Sequence, residues 1–327
     1  MTDSASEFRS AAVDAAAALP EGDAAVVSAP GIAGVPGPAP APGILKGRRL
    51  EFLYFALKNK KLLLGLGVVF LFFMIAIVGP YLTDAQPLAF GFPLSEKPSS
   101  AHWLGTTQQG QDVYAQFVNG LRSSFLVGAL GGGLAAIIGM FVGFTAGYRG
   151  GIVDEFLSMI TNVVLVVPTL AVLIVVAAYV DMKGFTTEAL FIGFTSWPWA
   201  ARAVRAQTFS LVSRDFVDMA RLSGKGTAKI ITKEIAPNMS SYLLMMFILL
   251  FGGAILIGAT LDFIGLGPSN AISLGLMMNS AVLWSALQLG TWWWFIPPGI
   301  GIIAIVGGLY VMNVGLDEVF NPKLREM

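Results

Sequence analysis

The chain has 327 residues, 55% of them apolar and only 12% charged, where soluble domains average about 25% charged. That balance, with a mean hydropathy of +0.73, excludes a soluble core and points to an all-α integral membrane protein. A formal charge of zero gives no reason to expect a nucleic-acid partner, and zero cysteines with a single histidine, His102, exclude disulfides, thiol chemistry and multi-histidine metal sites.

Residues 1–45 differ from the rest. They are rich in Ala, Pro and Gly, as in AGVPGPAPAPG, and read as a disordered cytoplasmic tail. They lack the basic start and apolar core of a signal peptide. An inert tail is favoured over a regulatory one.

A spanning helix needs roughly 20 apolar residues. Six runs qualify, at about 62–82, 121–147, 156–180, 187–209, 240–262 and 292–316. The fourth is interrupted by Trp197-Pro198-Trp199 and Arg202. Basic residues set the orientation. Arg48, Arg49, Lys58, Lys60 and Lys61 precede the first run, Arg149 follows the second, and Lys323 and Arg325 close the chain. The other side holds only Lys97, Arg122 and Lys183, so both termini are expected in the cytoplasm. Trp292, Trp293 and Trp294 would then anchor the outer interface.

The first outer loop, about 83–120, contains HWLGTTQQGQDVYAQFVNGLRSS. Its glycines suit tight turns, and Arg122 is suited to holding a carboxylate or the last carbonyls of a helix. Bracing of this loop by Asp112 and Arg122 is favoured over substrate contact. His102 has no evident nucleophile beside it and reads as a loop hydrogen-bonder. Gly150-Gly151 joins the second and third runs, and Asp154 and Glu155 fit the N-terminal turn of the third. Arg202 and Arg205 share a helix face, suited to reaching inner headgroups or bracing the loop that follows.

That loop, 211–238, is the longest polar segment between apolar runs on the inner side of the chain. Apolar residues at Phe216, Val217, Ala220 and Leu222, then at Ile230, Ile231 and Ile235, predict two short amphipathic helices. Ser223-Gly224-Lys225-Gly226 breaks them and Pro237 stops the second. The same break is the only lookalike for a phosphate loop. Met219 stands where the first glycine of GxxxxGK[ST] belongs, so that reading is rejected. Asp262 closes the fifth run, where water or a local hydrogen bond is favoured over a place in a translocation pathway. The loop 263–291 holds no charge and suits the membrane interface.

Several of these stretches resemble permease subunits of ABC importers, in the dipeptide/oligopeptide group. In the polar loop, Asp218, Met219, Ala220, Gly224, Ile235 and Pro237 fit the family's acidic-small-small, Gly, Ile-x-Pro pattern, with Asp for Glu, Met for Ala and Ala236 for Leu. In the outer loop His102, Leu104, Gly105, Thr106, Gly110, Asp112, Gly120, Arg122 and Ser124 match, while Thr107 and Gln111 depart. GYRGG, the Ser196-Trp197 to Arg205 run, and LDFIGLG with Asp262 for Ser also resemble family motifs; the family's following Pro-Ser-Trp-Gly is missing. The C-terminal NVGLDEVFNPKLR is loosely similar, and the likeness covers roughly residues 46–327.

The resemblance implies a type I importer permease fold with six transmembrane helices. Residues 46–120 would form the first helix and long outer loop, and 121–327 the core permease domain. The loop 211–238 would be a coupling helix docking on an ATPase through Asp218, Met219, Ala220, Gly224 and Pro237. Implied partners are a second homologous permease, two ABC ATPase subunits carrying ATP and Mg, an extracytoplasmic solute-binding protein and the bilayer of the inner or plasma membrane. This chain itself would bind no cofactor and catalyse no reaction. A peptide-like solute is implied, with oligosaccharides or a metal complex as alternatives. Ionisable groups are nearly absent from the runs, which disfavours an ion-coupled carrier or channel.

Overall fold

A computed structural model describes residues 55–180 and 184–320. The tail 1–45, Arg48, Arg49, Lys183 and the C-terminal Pro322–Arg325 motif lie outside them.

The chain begins with α1 (Lys60–Val78), whose leucine-rich sequence suits a helix and whose first turn is capped by Asn59 accepting from Leu62 N at 2.8 Å. A 3₁₀ turn, Gly79–Leu82, ends it. Next come α2 (Val113–Val127) and α3 (Gly133–Arg149), joined through a π turn at Gly128–Gly132. The turn sits where Gly132 meets the Phe251 backbone; a Cβ there would lie 2.7 Å from Phe251 Cα. Gly150 and Gly151 both have positive φ, 63° and 54°, and reverse the chain into α4 (Gly151–Val166).

The third run is not one straight helix. It breaks by 76° between α4 and α5 (Thr169–Tyr179). Pro168 has no N–H to donate and forces Val167 out of helical geometry, to ψ 124°. Then follow α6 (Phe185–Val212), α7 (Asp215–Leu222), α8 (Thr227–Ile230) with a π turn at Ile231–Ile235, and α9 (Ala236–Asn238). The last elements are α10 (Ser240–Phe263), α11 (Leu274–Leu283) and α12 (Trp292–Phe320). Among the described residues the only β pairing is an isolated bridge, Thr106 to Asp112.

Among the described residues four helices, α1, α2–α3, α10 and α12, are long and apolar enough to cross a membrane; the bent α4–α5 pair makes a fifth if counted as one span. α6 is long, about 42 Å at 1.5 Å per residue over its 28 residues, but carries Thr, Ser, Gln and Arg side chains that lower its hydropathy. Those residues are tolerated because one face of α6 is packed against α3. A Cβ on Gly139, Gly143 or Gly147 of α3 would stand 2.5 Å from Ala200 Cβ, 2.7 Å from Ala201 O and 2.8 Å from Arg205 O respectively. Small residues every four positions let the two backbones touch, the usual device where lipid supplies no hydrophobic drive between helices. α1 meets α12 in the same way, through Gly65, Gly308 and Gly315.

Facing outward are Leu64, Phe70, Phe141 and Ile303, all exposed apolar side chains on the long helices. An apolar girdle of this kind fits lipid and not water. The 263–291 loop is less open than its composition implies. It contains α11, whose Leu274 and Met277 are buried in the core with Trp294 and Ile305 of α12.

Candidate functional site

The elbow from Asp215 to Asn238 hangs between α6 and α10. Its corner lies at Ser223–Gly226, as the sequence predicts. α7 ends at Leu222, Gly224 takes φ +71°, and α8 starts at Thr227. The inner face, Val217, Ala220, Ile230 and Ile235, is buried with Phe144 of α3 and Val204 of α6. Lys225 Nζ donates to Glu234 Oε1 at 2.6 Å and closes the corner. Arg221 lies with its guanidinium 5.5 Å above the Tyr148 ring and donates to Asp218 Oδ1 at 2.9 Å. Tyr148 beside it, then Asp218, hold the Arg221 guanidinium pKa above its ordinary value.

The outer face of α7 carries two large apolar side chains among the exposed Asp215, Asp218 and Arg221. Met219 is 69% exposed and Leu222 is 89% exposed. The elbow is thus fixed rigidly on one side and offers two large apolar side chains on the other. One expectation is corrected, the stop at Pro237. Asp218 Oδ1 accepts from Arg221, and the N-cap position of α7 is Arg214, with no side-chain cap. Pro237 does not stop the second helix. It lies within α9, and the turn before it widens to π because proline has no N–H to return to Lys233.

Arg205 and Arg202 bond to α4 and not to the elbow. Arg205 donates to Asp154 through both Nε and Nη2, the latter at 2.6 Å, and Asp154 also accepts from Ser158 Oγ at 3.1 Å. Arg202 Nη2 donates to Asn162 Oδ1 at 2.8 Å. Both arginines therefore tie α6 to α4. Asp154 stands in the first turn of α4 as expected, with an ion pair that the dipole argument leaves out.

At the other end, Asp112 accepts from Ala115 N at 2.8 Å and faces His102 Nδ1 at 2.7 Å. It caps α2, so that helix starts at Val113, eight residues before the predicted 121, and the outer loop is shorter than 83–120. His102 is a loop hydrogen-bonder, as read. Arg122 lies exposed within α2 and makes no ion pair among the described residues. Of the three tryptophans only Trp292 is exposed. Trp293 and Trp294 are core residues, and Trp293 Nε1 donates to Thr106 O at 3.1 Å, pinning the loop to α12.

Asp262 is not at water. It is buried, and Ser273 Oγ donates to it. Glu188 near the start of α6 is also buried. Sequence reasoning passes over it; an acid inside an apolar run was the available signal.

Residues 136–326, which include the elbow, match the family described as binding-protein-dependent transport system inner membrane component. This chain belongs to that family. As a member it is a multi-pass permease component of binding-protein-dependent ABC transport. Relatives include the dipeptide transport system permease protein DppC of Bacillus subtilis, 30% identical over 82% of this chain and 83% of that one. The oligopeptide transport system permease protein OppC of the same organism is 30% identical over 82% and 87%. The DppC protein of Alkalihalophilus pseudofirmus is 31% identical over 82% and 88%.

Proposed function

We propose that this permease is one of two similar permease subunits of an importer for a peptide-like solute, with both termini cytoplasmic in the cell membrane. Six spans are reached when α6 and the bent α4–α5 pair each cross once. A solute-binding protein delivers the solute at the end of the bundle opposite the elbow. Two ATPase subunits, holding ATP and Mg, grip the elbows from below, and this chain holds no cofactor of its own. The observation that carries the reading is the elbow itself. It is packed through Val217 and Ala220 into the bundle, turned by Gly224, and presents Met219 and Leu222 to the outside. Exposed apolar side chains on a short rigid helix are the features of a helix-in-groove contact. The peptide-like solute follows the names of the relatives DppC and OppC.

ATPase closure would push α7, and through its buried face move α3 and α6 as a unit. The test is Leu222→Asp in the assembled transporter. The variant should reach the membrane in normal amount, lose co-purifying ATPase subunits and lose uptake. Retention of both would refute the docking assignment.

A further inference from the structure

Two carboxyl groups lie inside the bundle at the end away from the elbow. Glu188, in the first turn of α6, is 1% exposed, and Asp262, in the last turn of α10, is 2% exposed. The helices that carry them, α6 and α10, pack against each other. Neither Glu188 oxygen has a hydrogen-bond partner, nor has Asp262 Oδ1. The one donor to the pair is the Ser273 hydroxyl, to Asp262 Oδ2. Ser273 Oγ also accepts from Leu276 N at 3.1 Å, so the same hydroxyl caps α11.

Glycines make the room. A Cβ on Gly258, one turn before Asp262, would stand 3.0 Å from Glu188 Oε1, and one on Gly275 would stand 2.6 Å from Asp262 Cβ. Glu188 is therefore aimed at α10. Val127 of α2 and Ile192 of α6 meet Gly258 at the same place, so apolar side chains surround the spot Glu188 points to. None of the ion pairs among the described residues includes Glu188 or Asp262, so no lysine, arginine or histidine neutralises them.

We infer that Glu188 and Asp262 together bind one proton at the α6–α10 contact and release it when that end of the bundle opens. Adjacent like charges do not both ionise, and burying an unpaired carboxylate is costly. A proton removes both problems. It leaves one carboxyl neutral, while the Ser273 hydroxyl still donates to Asp262. Through Ser273, Asp262 is also tied to α11. Ionisable groups kept inside a membrane bundle mark function by default, and here the partner is named. When α6 and α10 part, water solvates both carboxylates and the proton leaves. Acidic medium then favours the closed end and alkaline medium the open one. Neither the solute nor the ATPase contact enters this inference.

The test uses the complete transporter in lipid nanodiscs, comparing wild type with Glu188→Gln/Asp262→Asn, in which both groups stay neutral. At neutral pH the wild type should show the infrared carbonyl stretch of a protonated carboxyl, and the variant should lack it. The thermal midpoint of the wild type should fall as pH rises from mildly acidic to mildly alkaline, and that of the variant should stay level. Identical infrared spectra would overturn the inference. So would a wild-type midpoint that rises with sodium at fixed pH, because the ligand would then be a metal cation. If the double variant is poorly made, Asp262→Asn alone must still assemble in wild-type amount; its loss too would mean that ionised carboxylates are required.

Discussion

Replacing Gly224 by alanine isolates the corner of the elbow. Its φ of +71° lies in the left-handed region, and a Cβ there meets nothing within 4 Å. The cost is therefore purely conformational, about 1–2 kcal/mol for an L-residue in that region. Gly226 is the internal control. It has φ −69°, ψ 156°, and equally open surroundings, so alanine there should cost almost nothing. If the αL corner is needed to present Met219 and Leu222, Gly224→Ala should lower the docking-competent population by about 5- to 30-fold, at roughly 1.4 kcal/mol per factor of ten. Gly224→Asn should fall between, since asparagine tolerates αL better than alanine. The assay is uptake and solute-stimulated ATP hydrolysis in proteoliposomes, normalised to the amount of transporter. Wild-type activity of Gly224→Ala, or equal impairment by Gly226→Ala, would refute the reasoning.

Two further substitutions test how the bundle holds the elbow and the outer loop. Gly143→Leu places a side chain where a Cβ already lies 2.7 Å from Ala201 O and from Val204 Cβ, so α3 and α6 must separate. Membrane levels of the chain should collapse, whereas Gly133→Ala, with open space around it, should leave them unchanged on an immunoblot. Trp293→Phe removes the buried hydrogen bond to Thr106 O and should lower stability by about 1–3 kcal/mol, read as a lower thermal midpoint in detergent.

The elbow was legible because it is amphipathic in water. Its polar residues mark the surface, its apolar ones the buried side, and glycine marks the corner. Inside the bilayer that contrast disappears, since lipid and protein interior are both apolar. Hence Trp293 and Trp294 read like Trp292, although two are core and one is exposed. The same loss hides α11, whose uncharged sequence fits an interface as well as a packed helix. The 76° bend had a visible cause in Pro168, yet its apolar neighbours made the run look continuous. The α3–α6 seam was written in Gly139, Gly143 and Gly147, but only the fold shows which helix they face.

The chain has no cysteine, so one introduced at the elbow reports on a single place. Leu222→Cys in the assembled transporter, treated with a short thiol–amine crosslinker, measures directly what that exposed helix touches. The account predicts a crosslink to an ATP-hydrolysing subunit that weakens or strengthens with the nucleotide state. A thiol shielded by lipid, or one captured only by the permease itself, would contradict it.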